Sequence, residues 1–135
     1  MLRVWVENRE LLVPVAQVKS VISLQDRQQD LDPDNPGPHM GEIKVNGQIV
    51  PLYDLGRVFR QRAAGRAHAL VLRGRPLAIA CDRVAEILEI PEQLLNGENG
   101  KNPHEEWVQA RCVNSGVKVI NINKIKEIFG IYAAP

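Results

Sequence analysis

Gly41-Glu42-Ile43-Lys44-Val45-Asn46-Gly47-Gln48-Ile49-Val50-Pro51-Leu52-Tyr53-Asp54-Leu55 sets two apolar-rich runs on either side of Asn46-Gly47. Both turn residues tolerate positive φ, which a two-residue type I′ turn requires. That turn fixes a register: Lys44 opposite Ile49, Ile43 opposite Val50, Glu42 opposite Pro51. Ile43, Val45, Val50 and Leu52 then share one face, and Lys44, Ile49 and Tyr53 the other. Pro51 falls at a non-hydrogen-bonded pair, so its missing N–H points away from the 41–45 strand. An edge or a bulge is therefore expected beside Pro51 on the far side. Asp54 follows as an N-cap, with Leu55, Val58 and Phe59 as the one-sided stripe of a short helix.

Before this unit, residues 2–6 and 10–15 form a hairpin about Glu7-Asn8-Arg9, and Val15, Val18, Val21 and Ile22 suit a helical turn passing into a strand. Residues 25–40, with Pro33, Pro36, Gly37 and Pro38, read as a long exposed loop. After it, Gln61–Arg66 is a polar connector. Ala69–Leu72 and Leu77–Cys81 flank a second hairpin turn at 73–76. Val84, Ile87, Leu88 and Ile90 run on to Pro91. Residues 92–106 read as another loop. Trp107–Val113 and Val117–Ile122 bracket a third turn at 114–116, and a last helix carries Ile125, Ile128 and Phe129 up to Gly130. The stripe Leu55, Val58, Phe59 recurs 70 residues later as Ile125, Ile128, Phe129, each time after a hairpin. Many short strands and this echo predict a mostly β, two-lobed barrel or sandwich in a single domain spanning 1–135.

The 135 residues are 44% hydrophobic but only 4% aromatic, so the core is aliphatic. Seventeen basic and sixteen acidic residues balance to +1, which argues against a nucleic-acid partner. Cys81 and Cys112 lie in apolar runs without metal-ligand spacing and read as buried free thiols of a reducing compartment. Neither a signal-type apolar region nor a run of membrane-spanning length is present, so a cytoplasmic protein without membrane insertion is expected.

Catalytic and metal motifs are missing. Asp30, Asp32 and Asp34 alternate as in a calcium loop, but Pro33 interrupts them and Asn35 stands where the turn glycine belongs, so a solvated acidic loop is the better reading. His39, His68 and His104 are scattered, neither cysteine has an adjacent base, and Ser20, Ser23 and Ser115 sit in no nucleophile elbow. No enzyme activity, cofactor or metal is expected. Arg57, Arg60, Arg62 and Arg66 read as a solvated face rather than a phosphate track. Ile49 is either covered by a second lobe or part of a partner surface.

From Leu2 to about Phe129 the order of these blocks resembles the CheW-like family of chemotaxis adaptors. The opening hairpin into Val18-Lys19-Ser20-Val21-Ile22, the central Gly41–Leu55, the Asp82 after a buried strand, and Trp107–Ile122 with its helix carry the resemblance. It implies two intertwined five-stranded β-barrels, SH3-like lobes with short helices, around a shared core. It also implies a non-catalytic adaptor joining a histidine kinase, through the kinase's own CheW-like regulatory domain, to the cytoplasmic tips of chemoreceptors. The implied partner surface comprises Val18, Ser20, Gly41, Asn46, Gly47 and Ile49. Asn46 stands where the family usually has Arg, Ser20 where Glu is common, and Ala78 and Ala110 replace glycines. Asn cannot reproduce the planar donor fork of Arg. A dedicated pathway such as surface motility would fit those departures. The alternative is a β-barrel module binding nucleic acid or a small ligand, against which the few aromatics and the neutral charge both count.

Overall fold

The computed structural model describes residues 1–25, 39–59, 66–74, 77–97 and 106–130. The expected acidic loop, Arg60, Arg62 and His104 lie outside them. Strands β1 (Leu2–Val6), β2 (Arg9–Val13), β3 (Val18–Ser23), β4 (His39–Val45), β5 (Gln48–Asp54) and β6 (His68–Leu72) lead into β7 (Ala78–Cys81) and β8 (Arg83–Ile87). Then come β9 (Leu95–Gly97), β10 (Val108–Cys112), β11 (Lys118–Ile120) and helix α1 (Ile122–Ile128). They form two sheets, ordered β8-β1-β2-β11-β10-β9 and β3-β6-β7-β5-β4. The chain thus starts in the first sheet, builds the whole second sheet, and returns to finish the first. The two lobes are nested, as the resemblance implies, but the first sheet has six strands rather than five.

The sixth strand corrects the reading of 92–106 as loop. Pro91 begins a 3-10 turn at Glu92–Leu94, and Leu95–Gly97 pairs with β10, Cys112 facing Leu95 and Ala110 facing Gly97. Three residues with one apolar side chain give no periodicity to detect.

Side-chain alternation sorts the interior into three layers. In β6, Leu70 and Leu72 point to one core while Ala69 and Val71 point to another; in β7, Ile79 and Cys81 oppose Ala78 and Ala80 in the same way. Both strands are covered on both faces, which is why their sequences are continuous apolar runs. The largest cluster is shared between the lobes. It joins Leu2, Val4, Val6, Leu11 and Val13 of the first sheet to Leu70, Leu72 and Ile79 of the second, under Trp107, Ile122, Ile125 and Phe129. Small alanines at 69, 78 and 80 fill the inside of the second lobe, beside Met40, Ile43, Val50 and Leu52.

The short helices differ from expectation in detail. After β5 the chain makes a 3-10 turn at Leu55–Phe59 rather than an α-helix. Helix α1 is capped by Asn121, whose side chain accepts a hydrogen bond from the Lys124 N–H at 3.2 Å. Its buried stripe is Ile122, Ile125 and Phe129, whereas Ile128 is exposed. Gly130, at φ +76°, ends it as expected. Cys81 is buried and Cys112 half-buried, both as free thiols.

Candidate functional site

The β4–β5 hairpin adopts the register read from its turn, with Lys44 opposite Ile49, Ile43 opposite Val50 and Glu42 opposite Pro51. Asn46 and Gly47 have φ of +50° and +80°, the type I′ pattern. Ile43, Val50 and Leu52 are buried, and Ile49 on the opposite face is 65% exposed. Among the described residues the other lobe does not cover Ile49, so that reading falls. On its far side β5 pairs with β7 only from Leu52 onward, which leaves Gln48–Pro51 outside that ladder, as Pro51 demands. Gly41, at φ +134°, occupies the register shift between His39 and Gly41, a bulge that a side chain would strain.

Val18 and Ser20 lie in β3, at the other end of the same sheet order; among the described residues β3 pairs only with β6 and β4 only with β5. A register shift between Val18 and Ser20 sets them apart. Val18 pairs with Leu72 and packs against the shared core, whereas Ser20 pairs with Val71, whose side chain belongs to the interior of the second lobe. Both are half-buried. Gly41, Asn46, Gly47 and Ile49 are thus brought together on one hairpin. Val18 and Ser20 belong to the opposite edge strand, and no ladder joins the two edges among the described residues.

Between the lobes the structure contains a group that sequence reading assigned to a solvated face. Arg66 is only 1% exposed, and Asp54 is fully buried. Arg66 Nε donates to Asp54 Oδ1 at 3.0 Å, and one terminal nitrogen donates to Asp82 Oδ2 at 2.8 Å. The same Asp54 oxygen accepts the Gly56 N–H at 2.9 Å, which is the expected cap, and Asp82 Oδ2 also accepts the Glu7 N–H. Glu7 Oε1 lies 3.9 Å from the guanidinium. A side chain at residue 56 would displace the guanidinium, because an added Cβ would sit 2.2 Å from an Arg66 terminal nitrogen. Burial pulls the Arg66 pKa down, but the hydrogen bonds and charges of Asp82 and Asp54 outweigh it and hold it above its ordinary value. The arrangement ties the end of β5, the β7–β8 junction and the β1–β2 turn to one cation. Both aspartates are spent on the guanidinium, and no group of three or more His, Cys, Asp and Glu suited to a metal occurs among the described residues.

The signal for Arg66 lay in the topology. Asp54 and Asp82 end strands that run parallel as neighbours, Asp54 facing Ala80, so their carboxylates emerge at one place and need a cation. Sequence alone did not reveal that pairing.

A family model described as CheW-like domain matches residues 1–129. Among solved structures, the scaffolding protein TtCheW from Thermoanaerobacter tengcongensis is similar at 17% identity and a TM-score of 0.67, over 88% of this chain and 84% of that one. That likeness shows the fold. No curated relative matches significantly.

Proposed function

Because the chain belongs to the CheW-like domain family, we propose that it is a non-catalytic adaptor coupling a chemotaxis-type histidine kinase to chemoreceptors or a related pathway. The observation that carries this reading is the β4–β5 hairpin. It offers an exposed aliphatic residue, Ile49, beside a rigid type I′ turn and an edge strand, in a family whose scaffold fold the chain shares. Exposed apolar side chains on a stiff edge suit docking of another protein rather than capture of a small substrate. No helix of the described residues is long and apolar enough to cross a membrane.

On this reading Ile49 is an anchor, Gly41 and Gly47 shape the backbone that presents it, Asn46 tunes partner choice, and Val18 with Ser20 contributes the opposite edge. The partner is the kinase's own CheW-like regulatory domain, with the receptor tip as the second client. The test is a titration of wild type and Ile49→Glu against such a kinase domain, with melting curves alongside. Ile49→Glu keeps the wild-type melting temperature and binds at least tenfold more weakly. Wild type that binds neither a kinase domain nor a receptor tip refutes the adaptor reading. Asn46→Arg strengthens binding to a conventional partner if Asn46 marks a weakened standard contact; unchanged binding assigns this chain a dedicated client.

A further inference from the structure

At the β1–β2 turn the first sheet sets opposite charges around one hollow. Trp5 and Arg83 are cross-strand partners of β1 and β8, so their side chains stand on the same face. The Arg83 guanidinium lies over the Trp5 ring, 3.9 Å from its centre. Stacking occupies the flat face of a guanidinium and leaves its in-plane N–H donors free. Arg3 also lies over Trp5, at 4.8 Å, but it is spent on Glu10 at 2.7 Å and Glu86 at 2.5 Å. Arg83 is exposed and makes no hydrogen bond or ion pair among the described residues. Its donor fork is held in place with no carboxylate to fill it.

Glu7, Asn8 and Asp82 line the same hollow as Trp5 and Arg83, a space of about 430 Å³. Asp82 Oδ2 accepts from Arg66 and from the Glu7 N–H, while its Oδ1 accepts nothing among the described residues. The Glu7 carboxylate makes no hydrogen bond there either, and its ion pair to Arg66 is long, at 3.9 Å. Glu7 sits at φ +56°, a region uncommon for a residue with a side chain, and its N–H bond to Asp82 anchors it. The turn that carries Glu7 is thus fixed to the strand end that carries Asp82 and Arg83. An unfilled cationic fork beside carboxylate oxygens with lone pairs to spare selects what can enter. A bare anion meets Glu7 and Asp82, and a bare cation meets Arg83, so each is repelled by one side. A zwitterion satisfies both. With Arg83 and Arg3 over the Trp5 ring, a quaternary ammonium finds no aromatic cage, so the cation that fits is one that donates N–H bonds. The Asn8 amide adds a donor and an acceptor for a polar side chain.

We propose that this hollow binds a free α-amino acid with a polar side chain, its carboxylate on Arg83 and its ammonium on Glu7 and Asp82. A volume of about 430 Å³ lies within the range of small-molecule sites. The site belongs to the first lobe, apart from the β4–β5 hairpin, and does not depend on the coupling role assigned to that hairpin.

The test titrates the full chain calorimetrically with L-serine, L-asparagine and L-glutamine. The amino acid that binds is then compared with its N-acetyl form, which lacks the ammonium, with its amide, which lacks the carboxylate, and with glycine betaine, whose cation has no N–H. At least one free amino acid binds saturably, and the two blocked forms and betaine bind at least about tenfold more weakly. Arg83→Gln, at an exposed position without a hydrogen bond, weakens binding by about tenfold or more and keeps the wild-type melting temperature. Glu7→Gln weakens it as well, and Ile49→Glu leaves it unchanged. Absence of saturable binding by all three amino acids overturns the proposal, as does equal binding of a blocked form or binding that survives Arg83→Gln. So does inorganic phosphate or the N-acetyl form binding more tightly than the free amino acid, since the hollow is then a simple anion site.

Discussion

Arg66 shows how much one side chain can decide. Asp54 is fully buried, and its carboxylate is tolerable there because the guanidinium is 3.0 Å away. Replacing Arg66 with Met takes away the hydrogen-bonded cation and leaves Asp54 only the longer Arg57 contact at 4.0 Å, and is expected to cost about 3 kcal/mol, read as a lower denaturant midpoint. Adding Asp54→Asn to Arg66→Met removes the stranded charge and recovers part of the loss; an unchanged midpoint in the double variant refutes this account. Cys81 makes a second prediction at the same scale. Burial, helped by the nearby Asp82 charge, pushes its thiol up to about 12 from 9.0. The unfolded chain then gives up this proton first, so stability is full below about pH 9 and falls as pH rises toward 12, by up to about 1.4 kcal/mol per unit. Urea titrations at pH 8 and pH 10.5 measure that slope, and Cys81→Ala flattens it.

At the scale of the element, the β4–β5 hairpin carries its own instructions. A two-residue turn leaves one register, so Asn46-Gly47 with the flanking alternation was enough to place every cross-strand pair and to turn Ile49 outward. Gly47→Val forces a β-branched residue to φ +80° and is expected to destabilise by about 1–3 kcal/mol. Equal melting temperatures for the variant and wild type would show that the turn relaxes at no cost. Elements legible in the sequence were those whose cause is local: the turn, the Asp54 cap, the doubly covered strands β6 and β7, the Gly130 stop. Those missed have distant causes. Strand β9 exists because β10 offers it an edge, and Arg66 is buried because β5 and β7 lie parallel. The unpaired far side of β5 was legible at Pro51, but the register shift between Val18 and Ser20 has no sequence mark.

For the whole molecule, nesting makes the lobes interdependent. Leu70, Leu72 and Ile79 of the second lobe complete the core on which Leu2, Val4 and Val6 of the first depend. Urea unfolding is therefore expected in a single transition. Trp5 and Trp107 both belong to the first lobe, so their fluorescence should coincide with circular dichroism, which senses both sheets. Two separated transitions would show lobes that stand alone. The same nesting has a mechanical consequence. Leu2 and α1, at the two ends of the described fold, both belong to the first lobe's side of the path, while β3 to β7 form a loop of chain between them. Tension applied across residues 2 and 129 runs into β1 and out through β11 and the helix. The second lobe hangs off that line like a pendant. In an optical trap the first lobe bears the load, and because the second lobe completes its core, the rupture force of the first sets the tension the whole fold can bear.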